Sequence, residues 1–211
     1  MLIPSKRHRS LDVIVAPGEF YVKGSDPQST RKILDGIKDR YRMNSGRCFE
    51  LGDRVMVDTM AIWKVLDREN PDPETIHVLV SDLIMSLHSS DEVNFVKAHT
   101  PAAASPEDEL CNMLQSKINT EVTIDSLCRQ LGIDGPGACR RFARIYGKTP
   151  YSYLKYYRMI DAASTILLGE RSMEEVGRSV GYSAECKFAE SFRKQFGCRP
   201  KHFITQYHTY S

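Results

Sequence analysis

The stretch SMEEVGRSVGYSAECKFAESFRKQFGCRP, Ser172 to Pro200, carries the punctuation of two helices around a tight turn. Ser172 and Glu175 are spaced as a capping box, in which the serine oxygen and the glutamate each satisfy a backbone N–H at the start of a helix. Gly181-Tyr182-Ser183 interrupts that helix. Phe188, Phe192 and Phe196 then recur every fourth residue, the spacing of one apolar helix face, from about Ala184 onward. Gly197 and Pro200 end the run, since glycine suits the left-handed cap and proline cannot continue a helix. A short helix, a glycine turn and a longer helix make a helix-turn-helix shape.

A looser copy lies upstream. At a shift of 50, Phe142 meets Phe192, Tyr146 meets Phe196, Gly147 meets Gly197 and Pro150 meets Pro200. The preceding helix aligns at a shift of 49, Thr123 with Ser172, Leu127 with Val176 and Gly132 with Gly181, so the second turn holds one extra residue. The two units are thus 123–147 and 172–197. Between them Thr149-Pro150 opens a helix by cap-then-proline logic and Gly169 closes it. Its roughly 19 residues span about 28 Å. Two recognition helices must lie about 34 Å apart to enter successive major grooves on one face of DNA, so a rod of this length is a suitable spacer.

Charge agrees. Residues 134–201 hold 13 Lys/Arg against 7 Asp/Glu, net +6, whereas residues 1–106 hold 14 against 15, net −1, within an overall +2. A basic second half beside a neutral first half favours a polyanionic partner. With 211 residues, 41% hydrophobic and 27% charged, the composition is that of a globular protein of one or two domains. No apolar run reaches membrane-spanning length and the start MLIPSKRHRS lacks a signal peptide's apolar stretch, so a cytoplasmic protein without membrane contact is expected. The six cysteines (Cys48, Cys111, Cys128, Cys139, Cys186 and Cys198) show no metal spacing and read as free thiols, and His8, His77, His88 and His99 are too scattered for a metal site; no cofactor is expected.

The Pro101–Pro106 neighbourhood, rich in small residues, reads as a linker over 96–106, separating an N-terminal region 1–95 from 107–207. In the first region LDVIVAPGEFYV alternates like one or two strands, STRKILDGIKDRYRM is a short helix interrupted by Gly36, and two further helices follow. In one of them Asp53 is the expected cap, and Val55, Thr59, Ile62, Trp63 and Leu66 share a face. In the other Asp72 caps, Pro73 leads, and Ile76, Leu79, Val80, Leu83, Ile84 and Leu87 form a wide stripe that packs either in its own core or against a second copy. After the linker the pattern is all helical: EDELCNMLQSKINT, a helix capped by Thr123 and a helix capped by Asp134. Phe142, Phe188, Phe192, Ile166, Leu167 and Val180 are the expected core. The fold class is therefore mainly α, an all-α tandem helix-turn-helix domain preceded by a small α+β domain.

In TIDSLCRQLGIDGPGACRRFARIYGKTPYSYLKYYRMIDAASTILLGERSMEEVGRSVGYSAECKFAESFRKQFGCRPKHF, the motifs GKTPYSYLKYYRMIDAASTILL, SMEEVGRSVGYSAECKFAESFRKQFGCRP and the closing Phe203 resemble the DNA-binding domain of the AraC/XylS family of bacterial transcription regulators. The resemblance covers roughly 107–207. It implies double-stranded DNA as partner, with base contacts from Pro136, Cys139 and Arg140 in the first unit and Glu185, Cys186, Lys187 and Glu190 in the second. Of these, Arg140 is the best suited chemically, because a guanidinium donates bidentately to guanine. Arg144, Lys148, Arg193, Lys194 and Arg199 are expected on phosphates. DGPGACRR departs from the family, which carries bulkier residues there and leucine at Ala138; two glycines weaken helix propensity by about 1 kcal/mol each. The family also implies a preceding cupin-like sensor with dimerising helices, here only partial, an activator role, a homodimer through 54–89, an effector of unknown identity and RNA polymerase as a further partner. The alternative is a sensor or interaction module, responsive through its thiols, that has lost DNA reading; the GPGAC run and the two glutamates motivate it. An enzyme is the poorest option, for lack of a phosphate loop, a Cys/His dyad or a paired-carboxylate pocket.

Overall fold

The computed structural model describes residues 22, 26–42, 48–50, 52–89, 94–96, 105–169 and 171–209. Backbone contacts divide the chain into two units, 1–98 with 207–211, and 99–206.

The first unit contains helices α1 (Pro27–Arg42), α2 (Asp53–Leu66) and α3 (Pro73–Ser89) and the strands β1 (Cys48–Glu50) and β2 (Asn94–Val96). The strands pair antiparallel with Cys48 opposite Val96. α1 begins where Asp26 accepts from the backbone N–H groups of Gln28 and Ser29 at 2.8 and 2.9 Å, and it runs 16 residues through Gly36. α3 starts as read, with Asp72 accepting from Thr75 N at 3.0 Å. α2 does not: Gly52 stands at the cap without a side-chain bond and Asp53 is the first helical residue, where its charge still favours the helix dipole. The buried face of α2 is also rotated from the expected one. Val55, Val57, Asp58, Ala61, Ile62 and Val65 are buried, whereas Thr59, Trp63 and Leu66 are half-exposed. In α3 the buried set is Leu79, Ser81, Leu83, Ile84 and Ser86, with Ile76, Val80 and Leu87 half-buried. The reason is a buried carboxylate: Asp58 accepts from Ser86 Oγ at 2.8 Å and from the hydroxyl of Tyr207, and these polar contacts fix which faces of α2 and α3 meet. The Arg54 guanidinium lies 4.5 Å over the Tyr207 ring. The expected strands over LDVIVAPGEFYV and most of the linker 96–106 lie outside the described residues; a cupin-like first domain is not established.

The second unit is helical: α4 (Pro106–Ser116), α5 (Ile124–Gln130), α6 (Gly135–Tyr146), α7 (Pro150–Leu168), α8 (Met173–Ser179), α9 (Glu185–Phe196), a 3-10 turn (Pro200–His202) and α10 (Phe203–Thr209), whose last turn belongs to the first unit. Local chemistry sets each start. Ser105 and Asp108 close a capping box on α4, and Ser172 and Glu175 close one on α8. Thr123, Asp134 and Thr149 cap α5, α6 and α7, and Gly169 ends α7. From Met159 to Ile166 every residue of α7 is buried, so this helix is the axis on which the others pack.

The sequence repeat is a structural repeat. Both short helices have 7 residues and both long ones 12. Each turn is a left-handed glycine, Gly132 at φ 64° and Gly181 at φ 79°, a conformation that a side chain would strain. The next residue closes the same backbone bond in each, Ile133 N to Cys128 O and Tyr182 N to Gly177 O, both 3.0 Å. The aromatic clusters correspond at the shift of 50: Phe142 stacks edge-on with Tyr153 at 5.4 Å, and Phe192 with Phe203 at 5.3 Å. The helix crossings are filled differently. In the second copy a Cβ on Gly177 would sit 3.3 Å from the Phe188 ring, while the first copy places Cys128 and Ala138 at the equivalent positions of its core. A larger residue on one helix accompanies a smaller one on the other, a partial compensation in volume. Ala138 is fully buried. Phe142, Phe188, Phe192, Ile166 and Val180 are core as expected, while Leu167 is half-buried.

Candidate nucleic-acid interface

α6 and α9 are amphipathic rods whose buried faces are held by Phe142 in one and by Phe188 and Phe192 in the other. Their opposite faces meet solvent. On α9 Glu185, Cys186, Lys187 and Glu190 are all exposed; on α6 Pro136 and Arg140 are exposed and Cys139 is half-buried. Of the candidate phosphate-binding residues, Arg144, Arg193, Lys194 and Arg199 are exposed and Lys148 is half-buried, its ammonium 5.1 Å over the Tyr156 ring.

α6 is complete in spite of its glycines. Asp134 accepts from Gly137 N at 2.6 Å, and a Cβ on Gly137 would lie 2.5 Å from that same Asp134 oxygen and 3.1 Å from Arg141 Nη1. Gly137 thus leaves open the space that the Asp134 carboxylate and the Arg141 guanidinium occupy. Arg141, next to the base-reading candidate Arg140, points elsewhere: its Nε donates to Glu107 on α4 at 2.7 Å, pairing a carboxylate whose side chain is only 6% exposed. A second anchor joins Tyr146, whose hydroxyl donates to Asp108 at 2.6 Å, to the α4 capping box.

On α9 the charges are partly spoken for. Lys194 Nζ lies 2.7 Å from Glu190, and this bond holds the Glu190 carboxyl below the usual range. A cleft of about 470 Å³ opens between α9 and the 3-10 turn, lined among others by Glu185, Cys186, Arg193, Arg199, Lys201 and His202. Lys201 and His202 escaped the sequence reading; the only sign of them is that they follow Arg199-Pro200 directly. Burial pushes the Cys111, Cys128 and Cys198 thiols up, which disfavours the reactive thiolate. Among the described residues no group of three or more metal-binding side chains occurs, and no helix is long and apolar enough to cross a membrane.

The Helix-turn-helix domain family matches residues 127–206. The virulence regulon transcriptional activator VirF of Yersinia enterocolitica is 23% identical over 137 residues, 64% of this chain and 51% of VirF. The transcriptional regulator AlkR of Acinetobacter baylyi is 30% identical over 84 residues, 40% of this chain and 28% of AlkR. The chain's match thus spans about half of VirF and less of AlkR. Among solved structures, the C-terminal domain of the response regulator AraT from Geobacillus stearothermophilus superposes with a TM-score of 0.47 at 22% identity, covering 48% of this chain and 84% of that one. The duplicated helix pairs, the helix that joins them and the family match agree on one assignment: residues 127–206 are a helix-turn-helix domain.

Proposed function

We propose that this chain is a sequence-specific DNA-binding regulator of transcription, which lays α6 and α9 into successive major grooves of one DNA face. The observation that carries the reading is the exposure of the polar first turns of α9, with Cys186 and Lys187 open to solvent while Phe188 and Phe192 fill the core behind them. Arg140 supplies the strongest base contact of α6, Lys187 that of α9, and Arg144, Lys148, Arg193, Lys194 and Arg199 meet phosphates. Pro136 and Cys139 offer apolar contact, and Glu185 and Glu190 accept from cytosine N4 while repelling phosphate. The name of VirF describes an activator, and activation, with RNA polymerase as the protein partner, is the mode favoured for this chain. Self-association through 54–89 uses the apolar residues that α2 and α3 leave half-buried, such as Val80 and Leu87. A cytoplasmic location follows from a DNA target; the effector is left open. Among the cysteines whose side chains are described, a thiol-responsive alternative is confined to Cys139 and Cys186, because Cys111, Cys128 and Cys198 are buried.

Selection of bound duplexes from a random pool tests the reading. Enrichment of two short motifs whose centres lie about one helical turn apart is expected. A pool that shows no enrichment, from a protein that does not bind duplex even at low salt, rejects it.

A further inference from the structure

Arg158 sits near the middle of α7 and ties the segment that leads into the first helix-turn-helix unit to the turn of the second. Its Nε donates to the carbonyl of Ile118 at 3.0 Å and its Nη2 to the carbonyl of Thr120 at 2.7 Å, 40 and 38 residues away in the turn that leads from α4 to α5. The same guanidinium lies against the turn of the second unit: a Cβ on Gly181 would be 3.0 Å from Nη2 and 3.1 Å from Cζ. Gly181 thus leaves room for the guanidinium as well as making the turn. Tyr151 and Tyr182 also lie close enough to act on its charge, one from α7 and one from the turn itself.

From these contacts we infer that Arg158 is a positioning residue that locks the two helix-turn-helix units in one mutual orientation, and so sets the spacing at which α6 and α9 meet DNA. The physical reason is the shape of the group. Packing of α6, α8 and α9 on α7 is non-directional and by itself does not oppose rocking of a unit about the α7 axis. A planar guanidinium with donors in a fixed fork, held by two backbone carbonyls of the α4–α5 connection that leads into the first unit and packed on the turn of the second, resists that rocking. An ammonium at the same place has the charge without the fork. The consequence for binding is one of effective concentration: with the second helix held in phase, its docking is effectively intramolecular once the first has bound, and a loose joint lowers that advantage. The consequence for DNA rests on the function proposed above; the lock itself does not.

The test has one arm for each. Spin labels on Cys139 of α6 and Cys186 of α9, in the full chain with Cys48→Ser, report the distance between the recognition helices, because Cys111, Cys128 and Cys198 are buried. The distribution should be narrow with Arg158 and clearly broader with Arg158→Ala or Arg158→Lys, both checked for folding by thermal melting. If Arg158→Ala does not fold, the lysine variant decides. A folded variant with an unchanged distribution overturns the lock. The second arm uses the tightest duplex recovered from the random pool and the same duplex with one base pair inserted between its half-sites. The intact protein should prefer the first by about tenfold, and the Arg158 variants by about twofold or less, as expected for loss of effective concentration. A general loss of stability would weaken both duplexes alike and leave the ratio untouched, and that result also counts against Arg158. Failure of the unaltered protein to bind any duplex rejects the DNA reading instead, while the distance arm still judges the lock.

Discussion

Gly135→Ala and Gly137→Ala, two residues apart on α6, should have opposite effects on stability. Helix propensity alone predicts that each alanine stabilises by up to about 1 kcal/mol. At Gly135 nothing opposes this, because a Cβ there would meet only Asp125 Oδ1 at 3.8 Å, an ordinary contact. At Gly137 the new methyl would fall 2.5 Å from the Asp134 oxygen that accepts from Gly137 N. A shift of Asp134 that opened the cap would cost about 1 kcal/mol. The methyl would also lie 3.1 Å from Arg141 Nη1. A displaced Arg141 strips Glu107 of its partner, and a buried acceptor left unsatisfied costs about 1–3 kcal/mol. Subtracting the propensity gain leaves Gly137→Ala destabilising by about 1–3 kcal/mol and Gly135→Ala neutral or stabilising by a few tenths to about 1 kcal/mol. Urea unfolding of the full chain, monitored by helical circular dichroism, measures both. A Gly137→Ala protein at least as stable as the parent would refute the argument, since it would mean that neither the cap nor the Glu107–Arg141 pair depends on that empty space.

Arg140→Ala should weaken binding to the selected duplex by about 1–3 kcal/mol and relax preference at one base position; equal affinity in a salt-controlled gel shift removes Arg140 from the base-reading set. Glu190→Ala should release Lys194 and remove a charge that repels phosphate, so affinity for random duplex rises and its logarithmic salt slope steepens by about 1; a slope that does not change shows that Lys194 meets no phosphate. In the first unit, burial raises Asp58 from 3.8 to about 6. The folded state therefore holds this proton more tightly than the unfolded chain, so its stabilising effect is complete below pH 3.8 and is lost as pH rises through about 6, a change of about 3 kcal/mol. Asp58→Asn, whose amide can still serve Ser86 and Tyr207, should flatten that profile and stabilise the unit at neutral pH. Persistence of the full slope in Asp58→Asn would place the titrating group elsewhere.

Apart from the start and face of α2, the linear sequence determined what is written within one helical turn. Ser172 with Glu175, Thr149 with Pro150, Asp72 with Pro73 and the phenylalanines spaced by four act on neighbours three or four residues away, so start, stop and buried face follow from the letters, and the duplication is legible because both copies repeat the same local code. Three assignments needed the folded chain. Gly137 reads as a flaw in a helix until Asp134 and Arg141 occupy the space where its side chain would be. Asp58 lies among apolar residues and turns the face of α2 because Ser86 and Tyr207, distant in the sequence, supply its hydrogen bonds. Arg158 resembles any basic residue on a helix, since its partners are the carbonyls of Ile118 and Thr120 and the bare backbone of Gly181. Backbone groups are the same in every residue and give no sign in the sequence of whom they bind; only tertiary structure, by bringing them together, selects one arginine from the many.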